Sequence, residues 1–570
     1  MPKIPPPYAH QLTGQEKTLA GWAGNSTVFG LIMDMGTGKS RVLCRTWWER
    51  TRRDEVDDLL IVAPKGCYLN WSHVPQGEDD ESGEFEKWFS EEEYAQLYIR
   101  AWVSGAGKLH MKSLGDFVSY TGKRHRVLLM NVEALSSPGR ARELLLEYLK
   151  SRRVMWAVDE AAVIMHWDSL RTKFVHGAAK LASHRHVLTG LLTPETPLDV
   201  FSQFWFMDWR ILGFRDYYAF RRRYAVLRRV DYRPVDVREA EERRPKVQAV
   251  LYYSRQSEKS WQVAKSSQAE PFWLPKKSAA RGTPRPGGCY EFSISRWLAE
   301  EVGLVEWEGR RGVEVVVNYQ NLDELHGRIA AASYRVEMDA VLDLPPMVYM
   351  PIRWVDMPDE QARMYKEMLS YATTVLEDRH ATASTKLDQM GKLQALLCGH
   401  VMSEDGRLID VPQNRVTSIM ELLQDHSGKA IIWAPYPRFL EKMTAALREA
   451  YGSESVVTFW GATGNAERAE SKRRIQRDEK VRFMVANQAV GGEGNTWTTP
   501  NLIIYGANGP KNKDRQQSER RTRRPGQTQS VACVDVAVRG TIDEKWVHVI
   551  RKKMDLAAAL VGDKWREWVV

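Results

Sequence analysis

Short apolar runs alternate with segments of helical periodicity in the first part of the chain. The segment 141–149, for example, repeats apolar residues at helical spacing between two such runs. This alternation predicts buried parallel strands joined by helices, which is the doubly wound α/β class of fold. The predicted strands are 28–33, 59–64, 126–132, 154–160 and 186–190.

The pattern changes between residues 232 and 317, a segment rich in arginine, lysine, proline, glycine and aromatic residues. Alternating runs at 247–253 and 313–317 predict small antiparallel strands rather than another wound sheet. Two stretches, 272–277 and 290–304, resemble a small β-rich module that recurs in DNA-processing proteins of phages and bacteria. We therefore expect a separate β-rich insertion over 232–317.

Positive charges and aromatic rings lie close together inside this insertion. Cations neutralise phosphates and rings stack on bases, so a loop at 276–285 is expected to face DNA. The cations of this loop are Lys276, Lys277, Arg281 and Arg285. Trp273 and Trp297 have two interpretations, stacking on bases or packing in the core of the module, and we favour the core.

Composition narrows the class of protein. The 570 residues are enough for about three or four domains, and the hydrophobic content of 43% is ordinary for a protein with sizeable cores. A net charge of +9 fits a polyanionic partner without establishing one. The five cysteines are isolated, which argues against a zinc site or a disulfide framework. Because no apolar run approaches the roughly 20 residues that a bilayer requires, we expect a cytosolic protein without a membrane partner.

The loop that follows the strand predicted at 28–33 is rich in glycine and leads into a helix. Its residues are Gly36, Thr37, Gly38, Lys39 and Ser40. The glycines let the backbone curl so that its N–H groups face an anion, and the helix adds its positive N-terminal end. Lys39 is then expected to pair with the β- and γ-phosphates of a nucleotide, and Ser40 to hold Mg²⁺. The leading glycine of the usual motif is Met33 here, so a chance turn before a helix is the alternative.

Acidic residues end the strand predicted at 154–160, where a wound sheet binds its ligands. Because a phosphate loop lies earlier in the same predicted sheet, Asp159 is suited to bind Mg²⁺. Glu160 is suited to orient an attacking water and to deprotonate it. The alternative is the ordinary preference of helix N-termini for acids. Upstream of the loop, the amide of Gln11 either reads the hydrogen-bonding edges of adenine or caps a helix.

The order of these features resembles the first motor lobe of the Swi/Snf-type ATPases of helicase superfamily two. The matching features are Gln11, the phosphate loop, 61–64, 159–162 and 188–190. In the second half, 429–433 is similar to the first strand of the second lobe, and 461–468 to the loop and helix after it. The run 489–495 is similar to the glycine-rich motif V, and the resemblance implies that Gly494 contributes to nucleotide binding.

The most specific match is the run Gln517-Ser-Glu-Arg-Arg-Thr-Arg-Arg-Pro-Gly-Gln527, which resembles the family's motif VI, QxxDRxHRxGQ. The resemblance implies that Arg521 and Arg524 are arginine fingers that cross the cleft to the γ-phosphate, and that Gln517 helps to join the lobes. A guanidinium suits this task because its charge is permanent and its planar fork matches phosphate oxygens. The alternative for so basic a run is a surface that faces solvent or DNA. The two interpretations are compatible if only some of the arginines face ATP.

Several positions depart from the family pattern. Ala162 stands where relatives often carry histidine, and Thr189-Gly-Leu-Leu replaces the Thr-Gly-Thr-Pro of motif III. Arg520 and Arg523 replace the aspartate and histidine of motif VI. None of these changes removes a group that binds Mg²⁺ or activates water. We therefore expect a working ATPase in which the coupling of hydrolysis to the lobes is unusual.

The resemblance implies an α/β protein with two tandem RecA-like doubly wound parallel-sheet lobes and the β-rich insertion between them. The expected ranges are 1–231 for lobe one, 232–317 for the insertion, 318–345 for a helical return of lobe one and a linker, 346–540 for lobe two and 541–570 for a C-terminal helical brace.

The resemblance also implies an activity. It is that of a nucleic-acid-stimulated ATPase that uses ATP and Mg²⁺ to move along DNA, remodelling it or displacing bound proteins. Duplex DNA is the first expected substrate, with forks or single strands next. A strand-separating or branch-migrating helicase is one alternative, and a DNA-binding protein with a non-cycling ATP site is another. We expect a monomer in the cytoplasm of a bacterial or phage-infected cell.

Overall fold

The protein contains two parallel sheets flanked by helices, and a small antiparallel sheet lies between them in sequence. The computed structural model describes residues 4–72, 83–231, 246–257, 260–276, 279–295, 298–299, 302–305, 312–371, 373–376, 379–382, 386–403, 406–491, 496–509 and 512–561.

The strands are numbered in chain order. They are β1 Val28–Met33, β2 Asp58–Ala63, β3 Leu97–Ala101, β4 His125–Asn131, β5 Val154–Asp159, β6 His184–Thr189, β7 Ala225–Asp231, β8 Val247–Gln256, β9 Ser260–Ala264, β10 Phe272–Pro275, β11 Ala279–Arg285, β12 Cys289–Ile294, β13 Gly312–Tyr319, β14 Ser333–Val336, β15 Met347–Tyr349, β16 Arg353–Trp354, β17 Thr373–Leu376, β18 Arg379–Thr382, β19 His400–Met402, β20 Leu408–Asp410, β21 Ala430–Trp433, β22 Val456–Phe459, β23 Phe483–Ala486, β24 Leu502–Tyr505 and β25 Val531–Ala537.

The helices follow the same convention. They are α1 Ala9–Ala20, α2 Lys39–Arg52, α3 Glu84–Trp88, α4 Glu91–Tyr94, α5 Lys108–Val118, α6 Arg140–Ser151, α7 Leu170–Ala179, α8 Val200–Leu212, α9 Tyr217–Tyr224, α10 Leu322–Ala331, α11 Met338–Val341, α12 Asp359–Tyr371, α13 Lys386–Leu397, α14 Arg415–Gln424, α15 Pro437–Tyr451, α16 Asn465–Arg477, α17 Gln488–Gly491, α18 Asn512–Thr522 and α19 Ile542–Val561. Within the described part of the chain, no helix combines the length and the apolar character needed to cross a membrane.

Lobe one is built on a parallel sheet with the strand order β14-β1-β6-β5-β2-β4-β3. Successive side chains of a strand point to opposite faces, so a strand covered on both faces is apolar throughout. In β2, Leu60 and Val62 pack in one core, whereas Leu59 and Ile61 pack in the other. The continuous apolar runs of the sequence therefore arise from a sheet between two helical layers, as predicted.

Lobe two repeats this arrangement with the order β15-β25-β24-β21-β23-β22, and β16 also pairs with β25. Ile432 of the central strand β21 faces one core, and Ile431 and Trp433 face the other. The prediction of two wound α/β lobes is thus confirmed. The strand β14 returns to lobe one and lies beside β1, while the domain boundaries themselves stay predictions.

The insertion is an antiparallel sheet with the order β10-β9-β8-β12-β11, reached through a two-stranded ribbon of β7 and β13. The predicted loop at 276–285 is wrong in part, because 279–285 forms the edge strand β11, paired with β12. Pro284 fits an edge strand, where its missing N–H leaves no ladder bond unmade. Trp273 is buried, with 7% of its surface exposed, as predicted. Lys277 and Trp297 lie outside the described residues.

Candidate nucleotide site between the lobes

The phosphate loop lies where the sequence places it, between β1 and α2. Gly36 and Gly38 have φ angles of +87° and +89°, a left-handed conformation that other residues rarely adopt. Gly38 caps α2, so Lys39 and Ser40 occupy its first turn. The N–H groups of a first turn have no partners within the helix, and they are free to meet an anion.

Helix α1 contacts this loop through two side chains. The amide nitrogen of Gln11 donates to the carbonyl oxygen of Thr37 at 3.2 Å, and the ring Nε2 of His10 lies 2.8 Å from the same oxygen. The amide oxygen of Gln11 accepts from the backbone N–H of Tyr8. Both ends of the Gln11 amide are therefore engaged by the chain. Support of the loop is the contact that the structure describes, and adenine recognition by Gln11 stays a prediction.

The acidic pair lies at the carboxyl end of β5, on the same edge of the sheet. One oxygen of Asp159 accepts from the N–H of Glu160 at 2.9 Å, and the other accepts from the indole Nε1 of Trp71 at 3.1 Å. Trp71 is buried just beyond the end of β2 and was missed by the sequence analysis. The only signal for it was its position after a strand of this sheet.

The electrostatics of the pair suit a cation. Burial and the adjacent carboxylate of Glu160 together raise the pKa of Asp159 to about 6, although the ammonium of Lys39 opposes them. A carboxyl group in this setting is stabilised in its ionised form by a nearby positive charge. Glu160 itself has a φ of +48°, and strained backbone of this kind is concentrated at functional sites.

The donor set fits Mg²⁺. A hydroxyl oxygen from Ser40 and a carboxylate from Asp159 are hard ligands, and Mg²⁺ usually keeps several waters besides one or two carboxylates and substrate phosphates. Within the described ranges, no cluster of three histidine, cysteine or acidic residues forms a separate metal cage. The predicted pair therefore suits a metal that arrives together with a nucleotide.

The run of lobe two that contains Arg524 lies beside the phosphate loop, and its role at the nucleotide stays a prediction. The pKa of Arg524 is lowered to about 9 by burial, and the charges of Arg521 and Glu160 are both close enough to act on it. A Cβ atom on Gly36 would lie only 3.2 Å from the ring of Pro525, so this run also touches the phosphate loop. Arg521 is 6% exposed and Arg524 is half-buried, and a bound anion would relieve the repulsion between their charges.

Other contacts between the lobes were not predicted. Arg520 forms an ion pair with Asp34 at 2.6 Å, and the backbone N–H of Lys513 donates to Glu195 at 3.4 Å. Gln517 is buried on α18, and its role in joining the lobes stays a prediction. Gly494 lies outside the described residues.

Comparison with known proteins gives distant relatives, and no family model matches the chain. The chain is 24% identical over 303 residues to the CHD3-type chromatin-remodeling factor PICKLE of Arabidopsis thaliana, a match that covers 49% of the chain and 21% of the relative. It is 23% identical over 262 residues to the DNA annealing helicase and endonuclease ZRANB3 of Bos taurus, covering 46% of the chain and 23% of the relative. The chain thus spans about a fifth of the length of these curated relatives.

Among solved structures, the Sulfolobus solfataricus SWI2/SNF2 ATPase core in complex with dsDNA aligns over 100% of this chain and 97% of its own. The sequence identity of that alignment is 17%, and its TM-score is 0.34.

Proposed function

We propose that the protein is an ATPase of the Swi/Snf type that couples ATP hydrolysis between two lobes to movement along DNA. The observation that carries the proposal is the meeting of two half-sites in one cleft. The charge of Glu160 in lobe one acts on the pKa of Arg524 in lobe two, and Pro525 borders the phosphate loop at Gly36. A nucleotide bound there would contact both lobes at once.

Each residue of the cleft has a distinct task in this proposal. The loop and Lys39 bind the β- and γ-phosphates, and Glu160 orients the attacking water and takes its proton. Arg521 and Arg524 stabilise the charge that develops on the γ-phosphate. Mg²⁺, held by Ser40 and Asp159, would neutralise phosphate charge. Hydrolysis removes one of the contacts that hold the lobes together, so the cleft opens more readily and each lobe grips DNA in turn.

The names of the relatives support DNA as the substrate. One is a chromatin-remodelling factor, and another is a DNA annealing helicase. Duplex DNA is therefore the first substrate to test. The name of the second relative also favours strand rearrangement as a second candidate function. A bacterial or phage source, a monomeric state and a cytoplasmic location stay predictions.

The first test measures ATP hydrolysis by the full chain without nucleic acid and with single-stranded DNA, duplex DNA, forked DNA or RNA. We expect duplex DNA to stimulate turnover most, and the Lys39→Ala and Glu160→Gln variants to lose about 10²-fold or more because each removes a group that acts on the reacting phosphate or water. Turnover at the wild-type rate in both variants would overturn the assignment.

A second assay separates the candidates. ATP-dependent displacement of the third strand of a triplex, without unwinding of a fork, supports translocation on the duplex. Unwinding of the fork supports a helicase. Binding of ATP without turnover on any nucleic acid supports a non-cycling site.

A further inference from the structure

Arg520 crosses the cleft between the lobes. It lies on α18 of lobe two, and its Nη1 donates both to Oδ1 of Asp34, at 2.6 Å, and to the carbonyl oxygen of Gly190. Asp34 directly follows β1, and Gly190 directly follows β6, so both acceptors belong to lobe one. The two charged side chains are 30% and 24% exposed, which makes the pair less screened by salt than a surface pair.

The acceptor Asp34 is fixed to the phosphate loop. Its Oδ2 accepts from the N–H of Met338 at 3.1 Å, and its main-chain oxygen accepts from the hydroxyl of Thr37 at 2.7 Å. The carboxylate is therefore held in one orientation, with Oδ1 towards lobe two. A guanidinium that binds it gains a defined position relative to Thr37 and the rest of the loop.

The donor Arg520 is equally tied to the arginine fingers. Arg521 is its neighbour on α18, and Nε of Arg524 donates to the main-chain oxygen of Arg520 at 3.2 Å. When Arg520 docks on Asp34, the backbone that carries Arg521 and Arg524 is placed against the phosphate loop. These contacts join the two half-sites through the side chain and backbone of Arg520.

We propose that Arg520 is a positioning residue, an interlobe latch that closes the cleft and places Arg521 and Arg524 for catalysis. The latch comprises Arg520, Asp34 and the carbonyl of Gly190. Its importance for turnover rests on the proposed ATPase function, whereas its effect on lobe closure does not. The acceptor Gly190 directly precedes Leu191, where the run departs from Thr-Gly-Thr-Pro.

Steady-state kinetics test the latch through turnover. In Arg520→Ala and in Asp34→Asn, we expect kcat to fall about three- to tenfold while the affinity for ATP stays within about twofold, because the contact aligns the fingers rather than binding nucleotide. Arg520→Lys keeps the charge and should recover part of the loss. The matched control is Arg438→Ala, which removes a similarly exposed arginine whose ion pairs with Asp410 and Glu441 lie within lobe two. A kcat for Arg520→Ala equal to that of the control would contradict the role in turnover.

Small-angle X-ray scattering tests closure on the nucleotide-free full chain. The wild type should be compact, whereas Arg520→Ala, Asp34→Asn and the double variant should be more extended in the same buffer. The double variant should open no further than either single variant, since both remove one contact. Scattering curves of the variants that match the wild type, or additive effects in the double variant, would overturn the latch.

The two readouts keep the proposals apart. A wild type that does not hydrolyse ATP refutes the proposed function, yet scattering still decides the latch. DNA-stimulated hydrolysis with unchanged kcat and unchanged scattering in the variants refutes the latch alone.

Discussion

His184 and His186 are buried on β6 of lobe one, and His176 is half-buried on α7. Burial lowers the pKa of His176 and His184 to about 4 and that of His186 to about 3. The ordinary pKa of a histidine in an unfolded chain is about 6.5. Below this pH the unfolded state therefore binds protons that the folded state does not bind. Their contribution to stability is present above pH 6.5 and is lost as the pH falls towards 4.

We predict that lobe one loses stability between pH 6.5 and 5, by up to about 1.4 kcal/mol per pH unit for each histidine that stays neutral in the fold. Urea unfolding followed across this range measures the slope. The His186→Gln variant cannot titrate at this position and should show a shallower slope. His548→Gln, at a position 67% exposed on its side chain, should keep the slope of the wild type. Equal slopes in all three proteins would contradict the prediction.

At the scale of elements, the insertion is joined to lobe one by the ribbon of β7 and β13. Arg281 lies over the rings of Tyr253, Trp261 and Tyr290 at 4.7 to 4.8 Å, and Lys276 lies 4.3 Å from the ring of Trp261. These aromatic residues lie on the three central strands and border the core of the small sheet, so the two cations cover one of its faces. A DNA-facing role for this face stays a prediction.

The ribbon offers a clean way to remove the module. Gly312 pairs with Asp231 at the end of the ribbon, so residues 232–311 can be replaced by an Asn-Gly turn that closes a hairpin. We predict that this variant binds duplex DNA more weakly and with a smaller salt dependence, because phosphate contacts are lost. ATP hydrolysis without DNA should change less than about twofold, since the nucleotide cleft is untouched.

DNA affinity at several salt concentrations measures the effect of the replacement. The Arg281→Gln variant in the intact chain separates the charge from the bulk of the module. Unchanged affinity and salt slope in the deletion variant would rule out a DNA-facing insertion.

At the scale of the whole molecule, the sequence predicts what is local and repetitive. The strand expected at 59–64 is observed as Asp58–Ala63, and its residues from Leu59 to Ala63 are apolar because both faces of the strand are buried. β11 escaped prediction because all but its first residue are exposed, so no burial pattern marks it. Nor does periodicity relate Arg520 to Asp34, which lie 486 positions apart in the chain.

The sequence likewise predicts only part of the candidate nucleotide site. The phosphate loop and the acidic pair could be predicted, since each follows directly from a strand end and a short motif. The support from His10 and Trp71 could not, because it depends on how separate elements pack. The approach of Arg524 to Glu160 was implied by resemblance alone, and although the charge of Glu160 acts on the pKa of Arg524 in the folded chain, the role of Arg524 as an arginine finger stays a prediction.

The central claim is that one ATP site is assembled from both lobes. The most direct measurement is ATP turnover, with duplex DNA present, by the Arg521→Ala, Arg524→Ala double variant, alongside its affinity for ATP. Arginine fingers act on the transition state and are worth about 10³-fold in kcat or more, so the account predicts a fall of that size with ATP affinity nearly unchanged. Turnover within about tenfold of the wild type would show that lobe two takes no part in hydrolysis and would contradict the account.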